Sequence, residues 1–306
     1  MDLKNIDLFL FDLDGTLYLG DEPLAGAPET VAALRGAGKR ICFLTNNSSR
    51  ARAGYLAKLE RMGFAPRDGE FCSSALVTAD WLKRAGKTRN VYFLAPAAVR
   101  RDFTEAGIGV IDYADNNSVA AVASVAAPRG SCGPAAPPRR GRPQEAAGTA
   151  ERTNGGTDCR EYTVVVGFDT ELAYDNLRTA CALIRGGAFF AATHPDKTCP
   201  TPRGFIPDAG SFLALIAAAA GRKPDVICGK PHKPISDYIM RKYKIKDRRR
   251  VCMVGDRLTT DIKFGLRNKF ASVLVMTGET TEVMLRESAV KPDLVLDDAR
   301  GILGLI

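Results

Sequence analysis

Ile6-Asp7-Leu8-Phe9-Leu10-Phe11-Asp12-Leu13-Asp14-Gly15-Thr16 opens the chain with an apolar run that stops abruptly at two carboxylates and a glycine. Apart from Asp7, Ile6 to Phe11 lacks the alternation of a half-exposed strand. That predicts a parallel strand covered on both faces. A helical stretch follows at Pro28 to Ala37, with Gly36 and Gly38 near its end, and then a second apolar run, Ile41-Cys42-Phe43-Leu44. The same grammar returns late in the chain at Val226-Ile227-Cys228, Val251 to Val254, Ser272 to Met276 and Leu294 to Leu296. Strands separated by helices imply a doubly wound parallel α/β sheet. Between the two halves, Val91 to Leu94 and Tyr162 to Val166 read as strands and Asn176 to Ile184 as a helix. The expected architecture is a discontinuous core, residues 1–81 and 225–306, with an α/β unit of residues 82–224 inserted into it.

Composition narrows the partners. The 306 residues suit two domains at about 150 residues each. Lys plus Arg is 43 and Asp plus Glu 35, a formal charge of +8 that suits either nucleic acid or a small phosphorylated substrate. Residues 127–160 contain no Ile, Leu, Val, Phe, Met, Trp or Tyr, and 11 of the 34 are Pro or Gly, which predicts a disordered surface loop. Its six Arg against Glu145, Glu151 and Asp158 supply +3, and 8 − 3 leaves +5 for the remainder. That modest excess favours a small anion over a polymer, and nucleic acid is not expected as a partner. Lys242, Lys244, Lys246 and Arg248 to Arg250 read as a solvated helix end and loop. The longest apolar run, Phe212 to Ala220, falls short of the ~20 residues of a membrane span. The N-terminus lacks signal-peptide features, so no membrane association and a cytoplasmic location are expected. Eight cysteines without a C-x-x-C pair read as buried reduced thiols, and two histidines exclude a His-rich metal site.

Ligands of open α/β sheets bind beyond the carboxyl ends of the strands. Those ends carry Asp12-Leu13-Asp14-Gly15-Thr16, Thr45-Asn46-Asn47-Ser48-Ser49-Arg50, Gly229-Lys230-Pro231 and Gly255-Asp256-Arg257-Leu258-Thr259-Thr260-Asp261. Taken singly, each is an ordinary turn or helix cap; together they deliver carboxylates, a hydroxyl and an ammonium to one place. Converging carboxylates repel unless a hard cation such as Mg²⁺ joins them. An Asp carboxylate can act as a nucleophile, and Asp14 can exchange a proton with a leaving oxygen. Lys230 and Thr45 would hold phosphoryl oxygens, with Gly15 allowing close backbone approach.

These four motifs resemble those of the haloacid dehalogenase superfamily of phosphohydrolases. The Thr45 to Arg50 run, Val166-Gly167-Phe168-Asp169, Pro207-Asp208-Ala209-Gly210-Ser211 and Gly255 to Asp261 are similar to its p-nitrophenyl phosphatase and NagD-like subfamily. The resemblance spans nearly the whole chain outside the 127–160 loop. It implies that Asp12 is the nucleophile and Asp14 the general acid/base. Asp12, the Asp14 backbone carbonyl and Asp256 would hold Mg²⁺, with Asp261 supporting them. Gly15, Thr45, Asn46, Asn47 and Lys230 would bind the phosphoryl group of a small phosphorylated substrate. It also implies that the inserted unit is a cap carrying substrate contacts, Asp169 among them, and offering a surface for a homodimer. An acid at position 14 implies phosphomonoester hydrolysis or phosphoryl transfer, with p-nitrophenyl phosphate as a generic substrate. A phosphotransferase or mutase using the same aspartyl-phosphate is the alternative, and a phosphate-ligand-binding regulator a more distant one. One departure is local: Thr193-His194-Pro195-Asp196 stands where the family usually has Thr-Asn-Pro-Asp, and His194 is expected at the surface of a loop.

Overall fold

The computed structural model describes residues 3–119, 158–201 and 203–306. The first part of the chain forms β1 (Leu8–Phe11), a small hairpin β2–β3 (Tyr18–Leu19 and Glu22–Pro23), α1 (Ala27–Gly36), β4 (Arg40–Thr45), α2 (Arg52–Arg61), β5 (Phe71–Ser73) and α3 (Ser74–Arg84). The middle forms β6 (Val91–Leu94), α4 (Ala97–Glu105), β7 (Thr163–Val166), α5 (Tyr174–Arg185), β8 (Phe189–Ala192), a second hairpin β9–β10 (Thr198–Thr201 and Gly204–Pro207), α6 (Ala209–Ala220) and β11 (Val226–Ile227). The last part forms α7 (Lys233–Lys242), β12 (Val251–Gly255), α8 (Lys263–Arg267), β13 (Ala271–Val275), α9 (Glu282–Glu287) and β14 (Leu294–Leu296). A π-helical turn, Leu258–Ile262, leads into α8.

Six strands make one parallel sheet in the order β14-β13-β12-β1-β4-β5. The order reverses between β1 and β12, the switch point at which open α/β sheets bind ligands. All four residues of β1 are completely buried. Phe9 and Phe11 pack with Val31, Leu34 and Leu59 on one face, while Leu8 and Leu10 pack with Ile235, Ile239 and Phe264 on the other. Alternate side chains thus serve two helical layers, which explains the unbroken apolar run.

A second parallel sheet has the order β11-β8-β7-β6 and its own core around Val164, Val166, Phe190 and Ile216. Trp81 at the end of α3 stacks on Phe189 of β8 at 5.6 Å between ring centroids, joining the two layers. Here the structure corrects the sequence reading. Val226–Ile227 was expected in the core sheet but pairs with Ala191 and Ala192 of β8. A short apolar run does not specify its sheet; the hydrogen bonds available at the open edge of β8 do.

Most of the expected 127–160 loop lies outside the described residues. Its last residues depart from expectation: Asp158 caps a 3₁₀ turn, Cys159–Glu161, and Cys159 is fully buried. No helix among the described residues is long and apolar enough to cross a membrane. Six described cysteines are buried, and Cys199 is partly exposed.

Candidate active site

Asp12 follows β1 directly, and Asp256 follows β12, so the neighbouring parallel strands place both carboxylates at the switch point. Asp261 joins them from the π turn, and oxygens of the three carboxylates lie within 4.8 Å of one another. Lys230 enters from the loop after β11. Its ammonium contacts Asp12, donates to Asp261 Oδ1 at 2.7 Å and to Leu44 O at 3.2 Å, and is almost completely buried. Asp261 also accepts the Arg257 backbone N–H at 3.1 Å, so it supports both the ammonium and the turn.

Asn46 ties the β4 end to this lysine. Its Oδ1 accepts the Lys230 N–H at 2.8 Å, and its Nδ2 donates to Lys230 O and to Asp196 Oδ2, each at 3.0 Å. Thr45 Oγ1 accepts the Asn47 N–H at 3.1 Å, and Asn47 Oδ1 in turn accepts from Ser49. Asp12, Asp14, Thr45, Asn46, Asn47 and Lys230 all line one cavity.

Gly15 has a requirement that differs from the expected one. Its N–H is engaged by Tyr18 O at 2.8 Å. The residue adopts φ +85°, and a Cβ there would stand 2.5 Å from Asp256 Oδ2. Glycine at this position leaves room for the Asp256 carboxylate.

Electrostatics follow from this crowding. Burial raises Asp12 well above the ordinary carboxylate range; Lys230 pulls it down, and Asp261 and Asp256 push it up. Burial and Asp261 push Asp256 up to about 6. Burial alone would disfavour the Lys230 charge, but Asp12 and Asp261 more than offset that and hold it protonated. Burial also raises Asp14, against the pull of Lys58 and Arg257. Hard carboxylate oxygens that repel one another fit a divalent cation, which would relieve the repulsion; the Asp14 carboxylate is not part of this cluster.

Residues 9–109 match a haloacid dehalogenase-like hydrolase model, and residues 227–302 match a HAD-hydrolase-like model. The glycerol-3-phosphate phosphatase of Homo sapiens is 33% identical over 91% of this chain and 81% of its own length. A 4-nitrophenylphosphatase of Schizosaccharomyces pombe is 28% identical over 96% of this chain and 92% of its own. The crystal structure of the 4-nitrophenylphosphatase of Thermotoga maritima superposes with a TM-score of 0.80, at 35% identity, covering 99% of this chain and 98% of that one. The chain belongs to the haloacid dehalogenase-like hydrolases. Within them it falls in the p-nitrophenyl phosphatase and NagD-like branch.

Four features in and around this hydrolase's site were not legible in the sequence. Arg257, one residue beyond the metal-type Asp256, lines the cavity and bridges Glu279 at 3.0 Å and Asp196 at 4.0 Å. Its place inside the Gly255 to Asp261 motif was the available signal. Cys199 and Pro200 of the β9–β10 hairpin reach the same cavity, which no local pattern announced. Asp169, expected to contact substrate, stands in the loop after β7 and does not line this cavity. Its buried carboxylate accepts the Tyr113 hydroxyl and the Glu171 N–H, each at 2.9 Å. His194, expected at the surface, is completely buried beside Asp208. Its loop lies between the two sheets, where packing and a carboxylate partner outweigh the usual exposure of a loop histidine.

Proposed function

We propose that this hydrolase is a Mg²⁺-dependent phosphatase that cleaves small phosphomonoesters through an aspartyl-phosphate on Asp12. The observation that carries the reading is the Asp12–Lys230–Asp261 cluster beside Asp256, a nucleophile held against a buried cation in a polar cavity. Asp12 attacks phosphorus in line, and Asp14 gives its proton to the departing alcohol oxygen. Asp14 then takes a proton from water, which attacks the phosphorus of the aspartyl-phosphate and releases phosphate and free Asp12. The raised pKa of Asp14 suits a group that must start protonated. Lys230, Thr45 and Asn46 orient the phosphoryl oxygens and offset their charge, the main demand that phosphoryl transfer makes on a protein. Asp12, Asp256 and the Asp14 carbonyl would hold Mg²⁺, with Asp261 steadying Lys230; the ion supplies positive charge at the phosphoryl oxygens.

The leaving group has a place of its own. A cavity of about 530 Å³ shares Asp14 and Pro200 with the catalytic pocket and is lined further by Leu19, Phe205, Glu22 and Glu279. Such a lining suits an uncharged alcohol with some apolar surface and disfavours a second anionic group. The inserted unit, residues 82–224 with β11 added to its sheet, serves as the cap, since its hairpin supplies Pro200 and Phe205. Hydrolysis of p-nitrophenyl phosphate with and without Mg²⁺ tests the activity, and release of free phosphate without an acceptor separates hydrolysis from transfer. Asp12→Asn is expected to abolish turnover with the fold intact; full activity in that variant would overturn the nucleophile assignment.

A further inference from the structure

His194 sits in the loop after β8, between the two sheets, with its ring fully buried. Nε2 is 2.8 Å from Asp208 Oδ1, at the N-cap of α6. Nδ1 is 2.9 Å from Thr193 Oγ1 and 3.4 Å from Ser74 Oγ. Thr193 Oγ1 lies 3.0 Å from Ser48 Oγ, which also accepts the Phe168 N–H at 2.9 Å. Ser74 donates to Asn46 O. Two short paths therefore run from the imidazole to the β4 loop, one through Thr193 to Ser48 and one through Ser74 to Asn46. Asn46 clasps the Lys230 backbone on both sides.

The junction has no slack. A Cβ on Gly229 would lie 2.6 Å from Asn46 Oδ1 and 2.8 Å from His194 Cβ, and one on Gly210 would lie 2.1 Å from Pro195 O. An ionised Asp208 can only accept, so Nε2 carries a proton. Nδ1 faces hydroxyls, which can donate or accept. In the neutral ring Thr193 donates to Nδ1; in the imidazolium Nδ1 donates to Thr193 Oγ1, and the Thr193 hydroxyl is released to Ser48 Oγ at 3.0 Å or Val166 O at 3.4 Å. The charge on the ring thus decides whether the Thr193 hydroxyl is held by Nδ1 or freed for its other acceptors, Ser48 of the phosphate-binding loop among them.

We propose that His194 and Asp208 form a positioning pair, whose imidazolium–carboxylate state holds Ser48, Asn46 and through Asn46 Lys230 in the arrangement that binds the phosphoryl group. This rests on the reading of Asn46 and Lys230 as phosphoryl-binding residues. The charged groups that face the ring are Asp208 at the start of α6, Asp196 on its own loop and Arg257 after β12. Burial lowers the proton affinity of His194, but Asp208 and Asp196 outweigh it against the opposition of Arg257, and the net direction is upward. The other histidine, His232, is shifted downward by burial, Arg267 and Lys263. The two rings therefore titrate on opposite sides of the ordinary histidine value.

The test uses Asp208→Asn, which keeps a capping oxygen for α6 and removes the charge. Imidazole NMR of the Mg²⁺-loaded protein is expected to show one ring titrating above the ordinary range and one below, with His232→Gln removing the lower. In Asp208→Asn the upper titration moves down. KM for p-nitrophenyl phosphate and the inhibition constant of inorganic phosphate rise together by about tenfold, with a smaller change in kcat, as expected for losing a charge-assisted hydrogen bond. In the wild type KM climbs as pH rises through the upper titration, and in Asp208→Asn that climb begins at lower pH. His194→Asn shows the same rise in KM without the pH-dependent climb. Unchanged KM and phosphate inhibition in Asp208→Asn, or a wild-type His194 ring that stays neutral throughout, overturns the proposal. A wild-type protein inactive toward every phosphomonoester would instead overturn the phosphatase reading, while the NMR titration still judges the charged pair.

Discussion

Lys230→Met removes the cation that holds Asp12 and Asp261 together while keeping most of the side-chain stem. The lysine side chain is 1% exposed, and those of Asp12 and Asp261 are 13% and 1% exposed. Stripping one partner from a buried ion pair leaves an uncompensated charge and costs about 3–5 kcal/mol. In a protein of this size that corresponds to a fall in Tm of about 5–8 °C. The loss depends on pH. Burial, Asp261 and Asp256 already hold Asp12 high against the pull of Lys230, and without the lysine its folded-state pKa climbs further. A carboxyl whose folded pKa lies above its unfolded value keeps full stability below the unfolded pKa. That stability is lost as pH rises through the folded pKa. The melting deficit is therefore largest at neutral and alkaline pH and shrinks in mild acid. Activity on p-nitrophenyl phosphate falls by about 10²–10³ because a donor to the phosphoryl oxygens is gone. Thermal melts across pH, paired with steady-state kinetics, read both effects. A variant that melts with the wild type at neutral pH, or whose deficit widens on acidification, refutes the reasoning.

Gly15→Ala adds a Cβ at φ +85°, 2.5 Å from Asp256 Oδ2. The backbone strain is about 1–2 kcal/mol. The displaced carboxylate raises the Mg²⁺ concentration for half-maximal activity by about tenfold or more; an unaltered Mg²⁺ titration contradicts this account. Asp14→Asn lowers turnover of an alkyl phosphate by about 10²–10⁴. It slows the burst release of nitrophenolate from p-nitrophenyl phosphate far less than release of the alkyl alcohol, because nitrophenolate leaves without a proton. Hydrolysis of the aspartyl-phosphate, which needs Asp14 as base, slows for both; equal losses in the release step contradict the acid assignment. Chelation abolishes turnover and lowers Tm, since Asp12, Asp256 and Asp261 then repel unrelieved, and added Mg²⁺ reverses both. Activity that survives exhaustive chelation rules out the metal assignment.

The catalytic face of the core was readable because its signals are local. The apolar run of β1 records burial on two faces, and the motifs that end β1, β4 and β12 sit directly at strand termini, where parallel topology gathers them. Lys230 was found for the same reason, although its strand belongs to the other sheet. What remained hidden depends on residues far apart in sequence. Nothing near Val226–Ile227 encodes that the edge of β8 is open to receive it. Nothing near Asp169 encodes that the Tyr113 hydroxyl will satisfy its carboxylate away from the cavity.

His194 shows the division most sharply. Its neighbours Thr193, Pro195 and Asp196 mark a polar loop, and a polar loop is ordinarily solvated. Only the packed junction brings Asp208 from α6 to 2.8 Å of the ring and Ser74 from α3 beside it. Local hydropathy and spacing suffice for strands, their order of chemistry and the residues that end them, since those are properties of consecutive residues. Which charges neutralise one another is settled by tertiary packing, because a buried charge persists only where a distant segment supplies its partner.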